Sequence, residues 1–92
     1  MEDLHKTVQL LLFVVEGAPR TSAAIDNVRR ALSAFDARAF LLEIVDVFDA
    51  PERAIADRVF VTPTLLAHGS APRLVGDLSE TSMLNHFLQS LA

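Results

Sequence analysis

Residues 7–15 read TVQLLLFVV, a run that begins by alternating and then turns continuously apolar from Leu10 to Val15. A strand with one wet face alternates throughout, so this run suits a central strand covered on both faces. The rest of the chain must then supply strands beside it and helices above and below it. At six residues (10–15), this longest apolar run falls far short of a membrane span, which needs about 20.

The following segments fit that demand. EGAPR is a turn, with Pro19 placed to open a helix. From there to about Phe35, apolar residues fall at Ile25, Val28, Leu32 and Phe35, one helical face. Residues 38–48 put Phe40, Leu42 and Ile44 on one strand face and Leu41 and Val45 on the other. DAPER then reads as a helix start, with Asp49 as cap, Pro51 in the first turn and Glu52 at capping-box spacing. That helix is short, ending near Asp57, with Ala54 and Ile55 as its expected apolar contacts. VFVTPTLL (59–66) continues to Ala67 as a third strand, HGSA is a tight connection, and PRLVG is a short fourth strand. The last helix is predicted from about Ser79, as cap, to Leu91, with Met83, Leu84, Phe87, Leu88 and Leu91 on its apolar side.

A chain of 92 residues is one domain. It can bury roughly 60–65% of its unfolded surface, enough to fold without crosslinks. It has no cysteine, which excludes disulfides, thiolate zinc sites and thiol redox chemistry. The net charge is −4 and no basic cluster exceeds Arg29–Arg30, so nucleic acid is not an expected partner. The N-terminal MEDLHK is acidic where a signal peptide is basic, and the expected compartment is the cytoplasm.

The order βαβαββα gives a parallel pair with a right-handed crossover, then an antiparallel hairpin. Helices would cover both faces of a four-stranded mixed sheet, a thioredoxin-like α/β architecture. Pro63, inside an otherwise strand-like run, then falls where that fold starts its third strand, with Thr62–Pro63 as the expected cis peptide.

Several stretches in order carry a closer likeness: KT at 6–7, the strand ending FVV, Gly17 and Pro19, IVDVFDAPE at 44–52, VTPTL at 61–65 and LVGDLS at 74–79. Together they resemble the KaiB circadian-clock proteins or the related sensory domain of a partner histidine kinase. The motif GDLS is Gly76, Asp77, Leu78 and Ser79. The resemblance implies a non-catalytic protein without cofactor that docks on the N-terminal ATPase ring of a KaiC-type hexamer. It also implies two folds, a thioredoxin-like monomer that binds the partner and a tetrameric ground state with a rearranged C-terminal half, with Thr62–Pro63 at the switch. Phe13, Arg73 standing alone, Glu43 and the end at Ala92 depart from the family pattern of tyrosine, basic pair, basic residue and acidic tail. With a regular apolar face on its last helix, this chain is expected to be mainly thioredoxin-like and monomeric.

By the same resemblance Arg58 lies in the surface that meets the ring, with Asp49, Glu52 and Asp57 flanking the same helix and Glu43 on the second strand. That strand, as an exposed edge, is a further candidate surface. The alternative is a glutathione- or small-molecule-binding domain, with Ser79 holding a carboxylate at a helix N-terminus and Thr21 or Ser22 near the sulfur. Asp77 and Glu80 oppose it by charge. His5, His68 and His86 have no metal-ligand spacing, Asp46 and Asp49 read as strand-end and helix-cap residues, and Thr62 and Thr64 have no evident base.

Overall fold

The computed structural model describes residues 7–92; residues 1–6, including His5 and Lys6, lie outside the described residues. The elements are β1 (Val8–Val14), α1 (Pro19–Leu32), β2 (Phe40–Asp46), α2 (Pro51–Ala56), β3 (Thr64–Ala67), β4 (Arg73–Val75) and α3 (Thr81–Leu91). The four strands form one sheet in the order β2-β1-β3-β4. β1 runs parallel to β2 and antiparallel to β3, and β3 is antiparallel to β4. This is the expected mixed sheet of a thioredoxin-like α/β fold.

The all-apolar centre of β1 is explained by its place between β2 and β3. Leu10, Leu12 and Val14 face α1 and α3 and pack with Ala24, Val28, Leu65, Leu84, Phe87 and Leu88. Leu11 and Phe13 face the other way, toward α2, and pack with Val45, Ala54 and Leu66. Each β1 residue from Leu10 to Phe13 is at most 2% exposed, as a strand covered on both sides requires. The two layers are unequal, because α1 has 14 residues and α3 has 11 whereas α2 has only six. The α2 face is covered over Leu11, Phe13, Val45 and Leu66, while Leu41 and Val75 toward its edges are exposed.

Several expected boundaries moved. α1 stops at Leu32 rather than Phe35, with Ser33 as C-cap. Phe35 still meets Phe40, edge to face at 5.2 Å, and closes the gap before β2. The third strand is only Thr64–Ala67, and residues 59–63 are irregular. Pro63 lies just before the first paired residue, so its missing N–H costs no ladder bond, while its carbonyl accepts from Gly76 N at 2.9 Å. The Thr62–Pro63 peptide is cis. Asp49 does not cap α2: the N-cap is Ala50, without a side-chain bond. Asp46 holds that corner instead, its Oδ1 accepting from Phe48 N (2.8 Å), its Oδ2 from Glu16 N (3.0 Å) and its carbonyl from Asp49 N and Ala50 N. Ile55, expected in the core, is 76% exposed, since a helix of under two turns buries only Ala54. Ser79 likewise does not cap α3; Glu80 is the N-cap. Met83 is also exposed.

The GDLS segment turns the chain from β4 into α3. Gly76 has φ +111°, which an L side chain rarely adopts, and Leu78 has φ +63° with its side chain buried. Asn27 Nδ2 on α1 braces the turn by donating to the Asp77 carbonyl at 2.8 Å. Asp77 Oδ1 accepts from Ser79 N at 3.1 Å. The Ser79 hydroxyl bond, then its backbone N–H, lowers the Asp77 pKa below the ordinary value.

Candidate functional site

The expected partner-binding residues gather around α2 and its neighbour β2. Asp49 lies two residues before α2 and Glu52 in its first turn; Asp57 is its C-cap and Arg58 follows. Glu43 stands on β2 in register with Leu11, so it shares the sheet face on which α2 lies. It is not a free acid, because Arg53 Nη1 and Nη2 donate to its two carboxylate oxygens at 2.6 and 2.9 Å. These bonds hold the Glu43 pKa below its ordinary value and raise that of Arg53. The fork fastens the edge strand to the helix. Among the described residues, β2 has only β1 as a sheet neighbour, so its other edge is unpaired by them.

α2 ends in a Schellman motif. Val59 N donates to Ala54 O at 2.8 Å and Arg58 N to Ile55 O at 3.1 Å. Val59 and Ala54 also share the smaller apolar cluster, the contact that accompanies this motif. The residue in the left-handed position is usually glycine; here it is Arg58, at φ +57°. Its carbonyl accepts from Arg73 Nη1 at 3.0 Å. Farther on, the Thr64 hydroxyl donates to Val61 O at 2.6 Å.

Sequence reasoning missed the apolar part of this surface. Phe48, Ile55 and Phe60 are 78, 76 and 88% exposed, immediately before, on and after α2. Phe60 belongs to the third strand expected from residue 59, whereas the strand starts only at Thr64; Pro63 is the one residue in the run that signals the later start. Exposed aromatic residues on a well-fastened segment are suited to binding a protein surface.

Of the residues weighed for thiol-peptide binding, Thr21 and Ser79 line different pockets. Thr21 is buried and its hydroxyl donates to Val15 O at 2.6 Å, while Ser22 is exposed. Ser79 belongs to the GDLS turn at the far end of the β4–α3 connection. Among the described residues, no group of three or more His, Asp and Glu side chains could hold a metal ion. No described helix is long and apolar enough to cross a membrane.

Residues 11–90 match the KaiB domain family model. The chain belongs to the KaiB family. Among its KaiB relatives, the circadian clock protein KaiB3 of Synechocystis is 33% identical over 81 residues, covering 86% of this chain and 78% of that one. The circadian clock oscillator protein KaiB of Prochlorococcus marinus is 32% identical over 78 residues, 83% of this chain and 73% of its own. Among solved structures, the N-terminal domain of Synechococcus elongatus SasA superposes with a TM-score of 0.75 at 26% identity, covering 99% of this chain and 88% of that one. Mitochondrial thioredoxin 3 of Saccharomyces cerevisiae gives 0.76 at 13% identity over 95% of this chain and 82% of its own, a likeness of fold alone. As a KaiB-family chain without a cysteine, the protein has the thioredoxin scaffold without the thiols of dithiol exchange.

Proposed function

We propose that this chain is a non-catalytic clock or signalling protein that docks, in its thioredoxin-like state, on the N-terminal ATPase ring of a KaiC-type hexamer. The docking surface is α2 with its flanks: Arg58, Asp49, Glu52 and Asp57 supply charge, and Phe48, Ile55 and Phe60 supply apolar area. Glu43 acts through Arg53, holding α2 against β2. The observation that carries the reading is the exposure of Phe48, Ile55 and Phe60 among the charged residues of α2 and its flanks, in a KaiB-family fold. Aromatic anchors rimmed by charge fit a protein partner better than a small molecule. Family membership supports a clock-protein partner, and the edge of β2 leaves room for a second one. We place the protein in the cytoplasm, chiefly as a monomer; Thr62 and Pro63 are the proposed switch point should the ground-state tetramer form.

A second reading, a sensory domain of a histidine kinase, draws on the likeness to the SasA N-terminal domain. A kinase core continuing the reading frame would favour it.

The test is a titration of a purified KaiC-type hexamer with the wild-type chain, Arg58→Glu and, as control, Arg29→Glu. Arg29 is exposed on α1, across the sheet from α2. Arg58→Glu should weaken binding by about tenfold or more, equivalent to about 1.4 kcal/mol, with Arg29→Glu near wild type. A folded Arg58→Glu protein that binds normally would remove Arg58 from the interface, and absence of wild-type binding would end the docking reading.

A further inference from the structure

The segment 59–63 has no strand pairing, yet it is fastened at three points: to α2 by Val59 N, to the start of β3 by Thr64 Oγ1, and to the residue after β4 by Gly76 N on the Pro63 carbonyl. One more tie reaches the residue that starts it. Arg73 stands on β4 opposite Leu66 in the antiparallel register, which puts its side chain on the sheet face that carries α2. There Nη1 donates to the Arg58 carbonyl at 3.0 Å, a charge-assisted hydrogen bond across 15 residues of chain. Arg58 needs such a tie. Its φ of +57° is a conformation that a residue with a Cβ adopts at a cost and glycine adopts freely.

We propose that Arg73 is a positioning residue for docking. Its guanidinium holds the Arg58 carbonyl, and the held carbonyl keeps residue 58 left-handed. The direction in which the Arg58 side chain and the exposed Phe60 leave the end of α2 is thereby fixed before any partner arrives. A surface ordered in advance loses less freedom on binding, so the tie raises affinity without Arg73 touching the partner. The inference rests on the docking reading above.

Arg73→Ala and Arg73→Lys, each in the wild-type and Arg58→Gly backgrounds, test it with two readouts. The first is amide hydrogen exchange at Val59, whose N–H closes the Schellman motif. Arg73→Ala should speed it about tenfold, the worth of one hydrogen bond to a charged group. Exchange at Leu12, in the central strand, should stay as it is. Arg73→Lys, which can still donate to a carbonyl, should recover most of the protection. In the Arg58→Gly background Arg73→Ala should change Val59 exchange less than about twofold, because glycine holds positive φ unaided. The second readout is affinity for a KaiC-type hexamer, expected to fall about tenfold in Arg73→Ala and to return in Arg73→Lys.

Unchanged Val59 exchange, or an equal effect in both backgrounds, overturns the positioning role. Wild-type binding with full affinity in Arg73→Ala overturns its link to docking while leaving the docking reading in place. A wild-type chain that does not bind the hexamer overturns the docking reading itself, and the docking role of Arg73 with it.

Discussion

Arg58→Gly should make the protein more stable and a poorer binder. The left-handed position after α2 is held by a side-chain-bearing residue at φ +57°. Clash between Cβ and the carbonyl in that region costs about 1–2 kcal/mol per residue. Glycine removes it, but also loosens the unfolded chain, an offset of about 0.4–1 kcal/mol. The difference leaves about 0.7 kcal/mol in favour of the variant. For a domain of this size that is roughly 3–5 °C in Tm. With a urea m-value near the low end of 1–3 kcal/mol/M, the midpoint should rise by about 0.5 M. The proper reference is Arg58→Ala, which removes the same exposed side chain but keeps the Cβ. Urea unfolding of the three proteins followed by circular dichroism gives the ranking, with glycine above alanine by about 0.5–1 kcal/mol. If alanine matches or exceeds glycine, the backbone at position 58 is not strained and the Schellman account of the end of α2 is wrong. Affinity for a KaiC-type ring should move the opposite way, because the guanidinium is gone. Opposed changes of that kind are expected where a strained residue is kept for a contact rather than for the fold.

Two further outcomes follow from the packing and the charges. Leu88 is fully buried between α3 and the sheet, whereas Met83 on the same helix is 56% exposed. Leu88→Ala should cost about 2–5 kcal/mol and Met83→Ala less than about 0.5 kcal/mol; similar losses in denaturant unfolding would contradict this placement of α3. Because Arg53 lowers the Glu43 pKa in the folded state, the pair contributes stability above the unfolded glutamate value and loses it as pH falls through the lowered folded one. The window therefore lies below about pH 4.3. A carboxyl-carbon NMR titration should show the Glu43 midpoint rising in Arg53→Gln, and an unmoved midpoint would exclude the fork in solution.

The element order was legible because periodicity survives wherever a face is buried on a regular element. Leu10 to Val14, Val28 on α1, and Leu84, Phe87 and Leu88 on α3 all entered the core as their spacing required. Local capping rules did worse, because they ignore competing partners. Asp49 had a cap's spacing, but it falls in the turn where Asp46 holds the N–H groups of Phe48, Asp49 and Ala50, and the helix starts one residue later, with Ala50 as N-cap. Ser79 had a cap's chemistry, but Asp77 drew its N–H and hydroxyl into the turn before the helix began. The Glu43–Arg53 fork joins residues ten apart on different elements, a distance no single-element period marks.

Apart from the exposed Met83 on α3, the remaining exceptions fall in two places and have different meanings. At Gly76–Ser79 the unusual backbone is explained by packing: Leu78 takes a left-handed conformation and in return is buried, with Asn27 bracing the turn. Around α2 the return is smaller: the left-handed turn closes two carbonyls and lets Val59 pack beside Ala54, yet three large apolar side chains near it stay outside the core. Arg58 is left-handed and exposed, VFV at 59–61 has strand composition without strand pairing, and Phe48, Ile55 and Phe60 stay in solvent. A foldable sequence keeps local preference and tertiary structure in agreement except where something other than folding constrains it. Three large apolar side chains left exposed at one helix and its flanks are thus an argument for docking there that is independent of family resemblance. The same argument bears on the proposed role of Arg73, whose bond meets the carbonyl of the residue that stands where such a helix end usually has glycine.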